Sequence, residues 1–143
     1  MVLRDGKIAR FGFNRKTADM DIVFAGILAT DSNAVIVLIE GKHPHMSAIL
    51  KARFKRSIPQ ASDRIRFLPH QSGEDFINLI AVSDVMLDTL HFCGFNTSLQ
   101  AFRVGTPVVT LPGRFMRGRH TLAFYRTMNY LETVADNIND YIA

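Results

Sequence analysis

The segment His91-Phe-Cys-Gly-Phe-Asn-Thr-Ser98 collects residue types that suit an anion. It leaves a run with strand character and enters one with helical character. Gly94 permits a tight turn and close backbone approach. Asn96, Thr97 and Ser98 are all strong helix N-cap types. A helix start behind a strand presents unpaired N–H groups and the positive end of the helix dipole, which together suit a phosphate. The same residues fit a plainer arrangement. Thr97 and Gln100 have the T-x-x-Q spacing of a capping box, in which Gln100 simply ties back to Thr97. The physical pattern alone leaves both arrangements open.

Other candidates stand nearby. His91 either donates to a phosphate oxygen or shapes the loop. Arg117 and Arg119 follow the Pro112-Gly113 turn, where two guanidiniums either neutralise phosphate or pair within the fold. His43 and His45 lie at i and i+2 with no further ligand set, a poor metal site, so no metal is expected. Pro44 reads as a break between strand and helix. Cys93 reads as a small buried residue. Asp84 and Asp88 flank a strand, and Asp88 reads as turn-forming. No Ser/His/Asp set has a spacing that argues for hydrolysis.

The elements that must position these residues alternate. Ile8–Phe13, Val35–Ile39, Arg64–Leu68, Asp84–Leu87 and Val108–Leu111 read as strands. Asp19–Ala29 reads as a helix through Ile22, Val23, Ile27 and Leu28, and Met46–Ile58 as another through Ile49, Leu50, Phe54 and Ile58. Ser72–Ala81 opens on a cap and negative charge. Asn96–Val104 ends at Gly105, a C-cap glycine, with Pro107 beyond. Arg119–Met128 and Asn137–Ala143 complete the helices. Such alternation predicts an α/β fold with at least five parallel strands and helices on both faces. Ligands of such sheets bind beyond the carboxyl ends of the strands, at a topological switch point. This directs attention to the loops after Phe13, Leu68, Leu87 and Leu111.

The chain has 143 residues, a fitting length for one domain. Its one cysteine excludes an intrachain disulfide and fits a reducing compartment. With no signal-peptide core and no apolar run of membrane-spanning length, the expectation is a cytoplasmic protein away from membranes. The net charge of +4 would suit nucleic acid, anionic lipid or a phosphate-bearing small molecule. Without a groove-reading helix or an RNA-binding motif, nucleic acid ranks last.

An ordered series of motifs carries a more specific signal. It runs Gly41-Lys-His-Pro-His45, Arg64-Ile-Arg-Phe-Leu-Pro69, Gln71-Ser-Gly-Glu-Asp-Phe76, Ser83-Asp-Val-Met-Leu-Asp88, Asn96-Thr-Ser-Leu99, Gly105-Thr-Pro-Val-Val-Thr-Leu-Pro-Gly113 and Phe115-Met-Arg-Gly-Arg119. The series resembles the C-terminal lobe of the bacterial SPINDLY-like relatives of O-linked N-acetylglucosamine transferases, from about Asp19 onward. The resemblance implies one Rossmann-like lobe of a two-lobe GT-B glycosyltransferase, holding a UDP- or GDP-sugar donor. It implies that Gly94, Phe95, Asn96, Thr97 and Ser98, with the helix start behind them, grip the diphosphate. It implies that backbone near Gln71 faces the nucleobase with Phe76 as a packing surface, that position 100 meets the ribose, and that Arg15 meets the diphosphate.

Some residues depart from that family's pattern. Gln100 is neutral where a carboxylate is usual. Phe95 replaces a small residue, Arg15 a lysine, and Arg114 stands where an acidic residue is common. Met1–Phe13 matches poorly. The acceptor-facing lobe and the preceding helical repeats are not in these 143 residues, which read as a fragment or truncated relative. The isolated chain is therefore expected to be inactive, with no assignable catalytic base. Its partners are expected to be a nucleotide diphosphate sugar, a protein acceptor or the missing lobe, and a second copy of itself as a homodimer. The competing reading is a non-catalytic nucleotide-binding or protein-interaction module.

Overall fold

The computed structural model describes residues 9–11, 18–41 and 43–143. Strands β1 (Ala9–Phe11), β2 (Ile36–Ile39), β3 (Ile65–Leu68), β4 (Met86–Leu87) and β5 (Val108–Val109) form a parallel sheet in the order β3-β2-β1-β4-β5. Helices α1 (Asp19–Thr30), α2 (Pro44–Ser57), α3 (Gly73–Ala81) and α4 (Asn96–Arg103) connect successive strands. Helices α5 (His120–Thr127) and α6 (Ile138–Ile142) follow β5.

Alternation along the strands builds a core on each face of the sheet. Ile36 and Leu38 of β2 meet Phe24 and Ile27 of α1, Phe54 of α2 and Tyr141 of α6. Ile39 turns the other way, onto Leu79 of α3. In β4, Met86 joins Ile80, Ala101 and Tyr125 of α3, α4 and α5. Its neighbour Leu87 joins the first core. Chain crossovers therefore leave β1 and β4 toward opposite faces. The gap between the carboxyl ends of these two strands is the switch point.

Local chemistry sets the helix ends. The Ser72 hydroxyl accepts the Asp75 N–H at 3.1 Å, the cap expected for α3. Gly105 ends α4 with φ +79°, a conformation that favours glycine. Helix α1 has no basic residue in its last turn. Arg64 supplies the missing charge, donating to the carbonyls of Leu28, Asp31, Ser32 and Ala34. Pro44 is not a break before α2 but its opening residue, where a missing N–H costs nothing.

Two apolar residues expected inside are outside: Ile22 is 64% and Ile49 58% exposed. Both lie on the side of their helix opposite the buried stripe. Asp21 occupies an inward position on α1 instead, because Arg53 and Ser57 of α2 each bond its carboxylate at 2.8 Å. The strands are also shorter than the apolar runs. β4 and β5 keep two paired residues each, while Thr110 bridges to Val134 rather than extending β5. No helix among the described residues is long and apolar enough to cross a membrane.

Candidate functional site

The loop leaving β4 lies at the switch point. Helix α4 has Phe95 at its N-cap, with no side-chain cap. The expected capping box between Thr97 and Gln100 does not form, because Thr97 already lies inside the helix. Among the described residues no side chain caps the N–H groups opening α4, as an anion site requires. Gly94, Phe95, Asn96 and Thr97 line a cavity of about 290 Å³, together with Asp88, Thr89 and Cys93. A Cβ on Gly94 would collide with the Thr97 hydroxyl and stand 3.1 Å from that of Ser98. Glycine is required there by space, its φ not being positive.

Beneath this loop lies a buried carboxylate. Asp88 is 4% exposed, at the end of β4. One carboxylate oxygen accepts the Gly94 N–H at 2.7 Å, and the other accepts the hydroxyls of Thr110 at 2.9 Å and Thr121 at 2.7 Å. Its backbone oxygen accepts the Tyr141 hydroxyl at 2.6 Å. Burial pushes the Asp88 carboxyl above its ordinary value, against the lowering pull of the Thr121, Gly94 and Thr110 bonds. Asp88 is therefore a structural hub and not the turn former its position at a strand end suggests.

A second turn braces the loop from the side. Gly113 N–H bonds Gly118 O at 2.9 Å, and a Cβ on Gly118 would press on Gly113 at 3.4 Å. Arg119 donates to Gly113 O at 3.0 Å and so serves the turn. Arg117 is exposed and lies over the Phe115 ring at 4.7 Å, while its carbonyl accepts the Cys93 N–H at 2.8 Å. Cys93 is buried, and burial raises its thiol above the ordinary range, the setting of an inert cysteine.

The remaining candidates separate. Arg15 lies outside the described residues. Ser98 is fully buried and lines no part of the cavity; its hydroxyl donates to Gly94 O at 3.1 Å and stands 3.0 Å from that of Thr121. Gln71 follows β3, its amide donating to Pro69 O at 2.7 Å. Phe76, on α3, packs against the cluster of Ile80 and Met86 and against Ile39 and Leu79. Gln100 is half-buried on α4. Gln71 lies in the β3–α3 loop, Phe76 on α3 and Gln100 on α4, and none of the three lines the cavity. His91 has φ +69° and pairs with Asp19 at 2.7 Å beside a separate hollow, which supports its loop-shaping role.

Residues 13–143 match the model of glycosyl transferase family 41. The chain belongs to that family. It is similar to a UDP-N-acetylglucosamine–peptide N-acetylglucosaminyltransferase of Giardia intestinalis, with 33% identity over 105 residues. Among solved structures, a mutant O-GlcNAc transferase of Thermobaculum terrenum matches 97% of the chain with TM-score 0.84 and 31% identity. The E. coli heptosyltransferase WaaC with ADP covers 86% with TM-score 0.50 and 14% identity, a likeness of fold alone. The chain spans 7% of the Giardia protein, 28% of the Thermobaculum chain and 44% of the heptosyltransferase chain.

Within this family 41 domain, the sequence motifs located the loop but not what holds it. Thr110 and Thr121 lie 22 and 33 residues beyond Asp88, separations that no local pattern marks. A usable signal was Asp88 itself, a carboxylate ending a strand at the binding edge of a parallel sheet. Phe95, the bulky departure, stands edge-on to His120 and Phe124 at 5.2 Å each. Its ring leans on α5, and the cavity stays open beside it.

Proposed function

We propose that this domain holds the diphosphate of a UDP- or GDP-sugar on the loop from Gly94 to Ser98, as the donor half of an inverting protein O-glycosyltransferase. The uncapped start of α4 behind Gly94, in a family 41 fold, carries this reading. The opening N–H groups of α4 stabilise the leaving diphosphate electrostatically as a Ser or Thr hydroxyl of a protein acceptor attacks the anomeric carbon. Arg15 adds positive charge after the first strand. Backbone near Gln71 takes the nucleobase, Phe76 borders it, and Gln100 faces the ribose. No resident cofactor is required. Likeness to the bacterial SPINDLY-like members and a cytoplasmic location belong to the same proposal, and the lone buried thiol supports the latter.

Gln100 favours a second reading, a module that binds the nucleotide without transfer, because a neutral amide grips a ribose diol less firmly than a carboxylate does. A thermal-shift panel with UDP, GDP and their sugar conjugates tests the donor site shared by both readings. A ligand at a hundredfold its dissociation constant adds about 2.7 kcal/mol of stability. No shift with any of them would remove the donor site.

A further inference from the structure

Gly94 is held at both its N–H and its C=O by side chains gathered around Asp88. Its N–H enters the Asp88 carboxylate at 2.7 Å, and its C=O meets the Ser98 hydroxyl at 3.1 Å. Ser98 stands 3.0 Å from Thr121, which returns to Asp88 at 2.7 Å. Gly94 N–H is therefore spent inward and is not a ligand donor. The groups left for an anion are the N–H groups that follow it, and their direction depends on how this peptide is set. Among the described residues no cation pairs with Asp88. Its carboxylate is instead divided between the loop and two threonine hydroxyls, a geometry that fixes position.

We propose that Asp88 is the positioning residue of the diphosphate loop: through Gly94 directly, and through Thr121 and Ser98, it aims the N–H groups at the start of α4 into the cavity. The proposal rests on the donor-site reading above. Asparagine can do the same work. Its carbonyl keeps Gly94 N–H, its amide donates to the Thr110 and Thr121 oxygens, and Thr121 then donates to Ser98. Alanine removes the acceptor that Gly94, Thr110 and Thr121 share.

The test uses the full 143-residue chain in two measurements. Without ligand, hydrogen exchange at the Gly94 amide is expected to rise at least about tenfold in Asp88→Ala and to stay near wild type in Asp88→Asn. In calorimetric titrations with UDP and GDP, Asp88→Ala is expected to lose about tenfold or more in affinity, while Asp88→Asn stays within about threefold. Should Asp88→Ala fail to fold, Thr121→Val removes the hydroxyl between Asp88 and Ser98 while leaving Gly94 and Thr110 on the carboxylate, and is expected to show both effects more weakly. A folded Asp88→Ala with wild-type protection and affinity would overturn the proposal. So would an asparagine variant as damaged as alanine, or a Thr121→Val chain indistinguishable from wild type. Failure of the wild-type chain to bind either diphosphate would instead sink the donor site, while exchange at Gly94 still decides whether Asp88 sets the loop.

Discussion

Gly94 and Asp88 show how far single residues could be interpreted. Glycine in a strand-to-helix loop signals close approach, and the structure supplies the reason in the hydroxyls of Thr97 and Ser98. Gly94→Ala should therefore destabilise the fold by about 1–3 kcal/mol, the cost of overpacking a tight site, and urea unfolding checks this. The Thr97–Gln100 spacing suggested a cap that the structure does not form, because the helix begins earlier than that motif requires. The role of Asp88 is not legible in the sequence because its partners Thr110 and Thr121 lie far off along the chain. Its carboxyl is raised above the ordinary 3.8, chiefly by burial. The folded state therefore holds the proton more tightly than the unfolded state. Stability from this group is fully present below the unfolded value and is lost as pH rises through the folded one. Asp88→Asn, which carries no charge, should gain on wild type in melting temperature as pH is raised from acid to neutral. A difference between the two that is flat with pH would contradict this.

At the scale of elements, periodicity located each described helix to within about two residues. It could not say which apolar residue faces out. Ile22 and Ile49 fit an apolar count, but the Asp21–Arg53 pair between α1 and α2 settled the helix rotation. Apolar runs continue past the paired residues, so they do not mark strand ends: Leu111 stays half-buried beyond β5. The short α6 was legible as a helix, but its purpose was not. Tyr141 inserts from it to donate to Asp88 O, and full burial keeps that hydroxyl well above the ordinary tyrosine range, hence a donor. Tyr141→Phe leaves a buried carbonyl without that partner and should cost about 1–3 kcal/mol. Chemical denaturation, together with faster exchange of the α6 amides, would show it. An unchanged midpoint would mean that α6 is held by packing alone.

The molecule as a whole is a parallel sheet with a core on each face and its candidate site where the crossovers diverge. This architecture is plain in the strand–helix alternation, because short apolar runs such as β2, β4 and β5 alternate with segments of helical spacing. The site was legible only as a loop. Its far-reaching bonds depend on which strands are neighbours, and sequence order does not place β1 between β2 and β4. In a GT-B enzyme the donor is bound by one lobe and transfer takes place between two. These 143 residues by themselves should therefore bind donor and transfer nothing; a radiolabelled-sugar assay with protein acceptors would show label incorporation if that is mistaken. The most direct test of the account is an amide-resolved NMR titration of this chain with UDP and GDP. The account predicts that one of them produces its largest shifts at Phe95, Asn96, Thr97 and Ser98, with smaller ones near Gln71. Saturable shifts confined to the hollow beside His91 and Asp19, or none with either nucleotide, would contradict it.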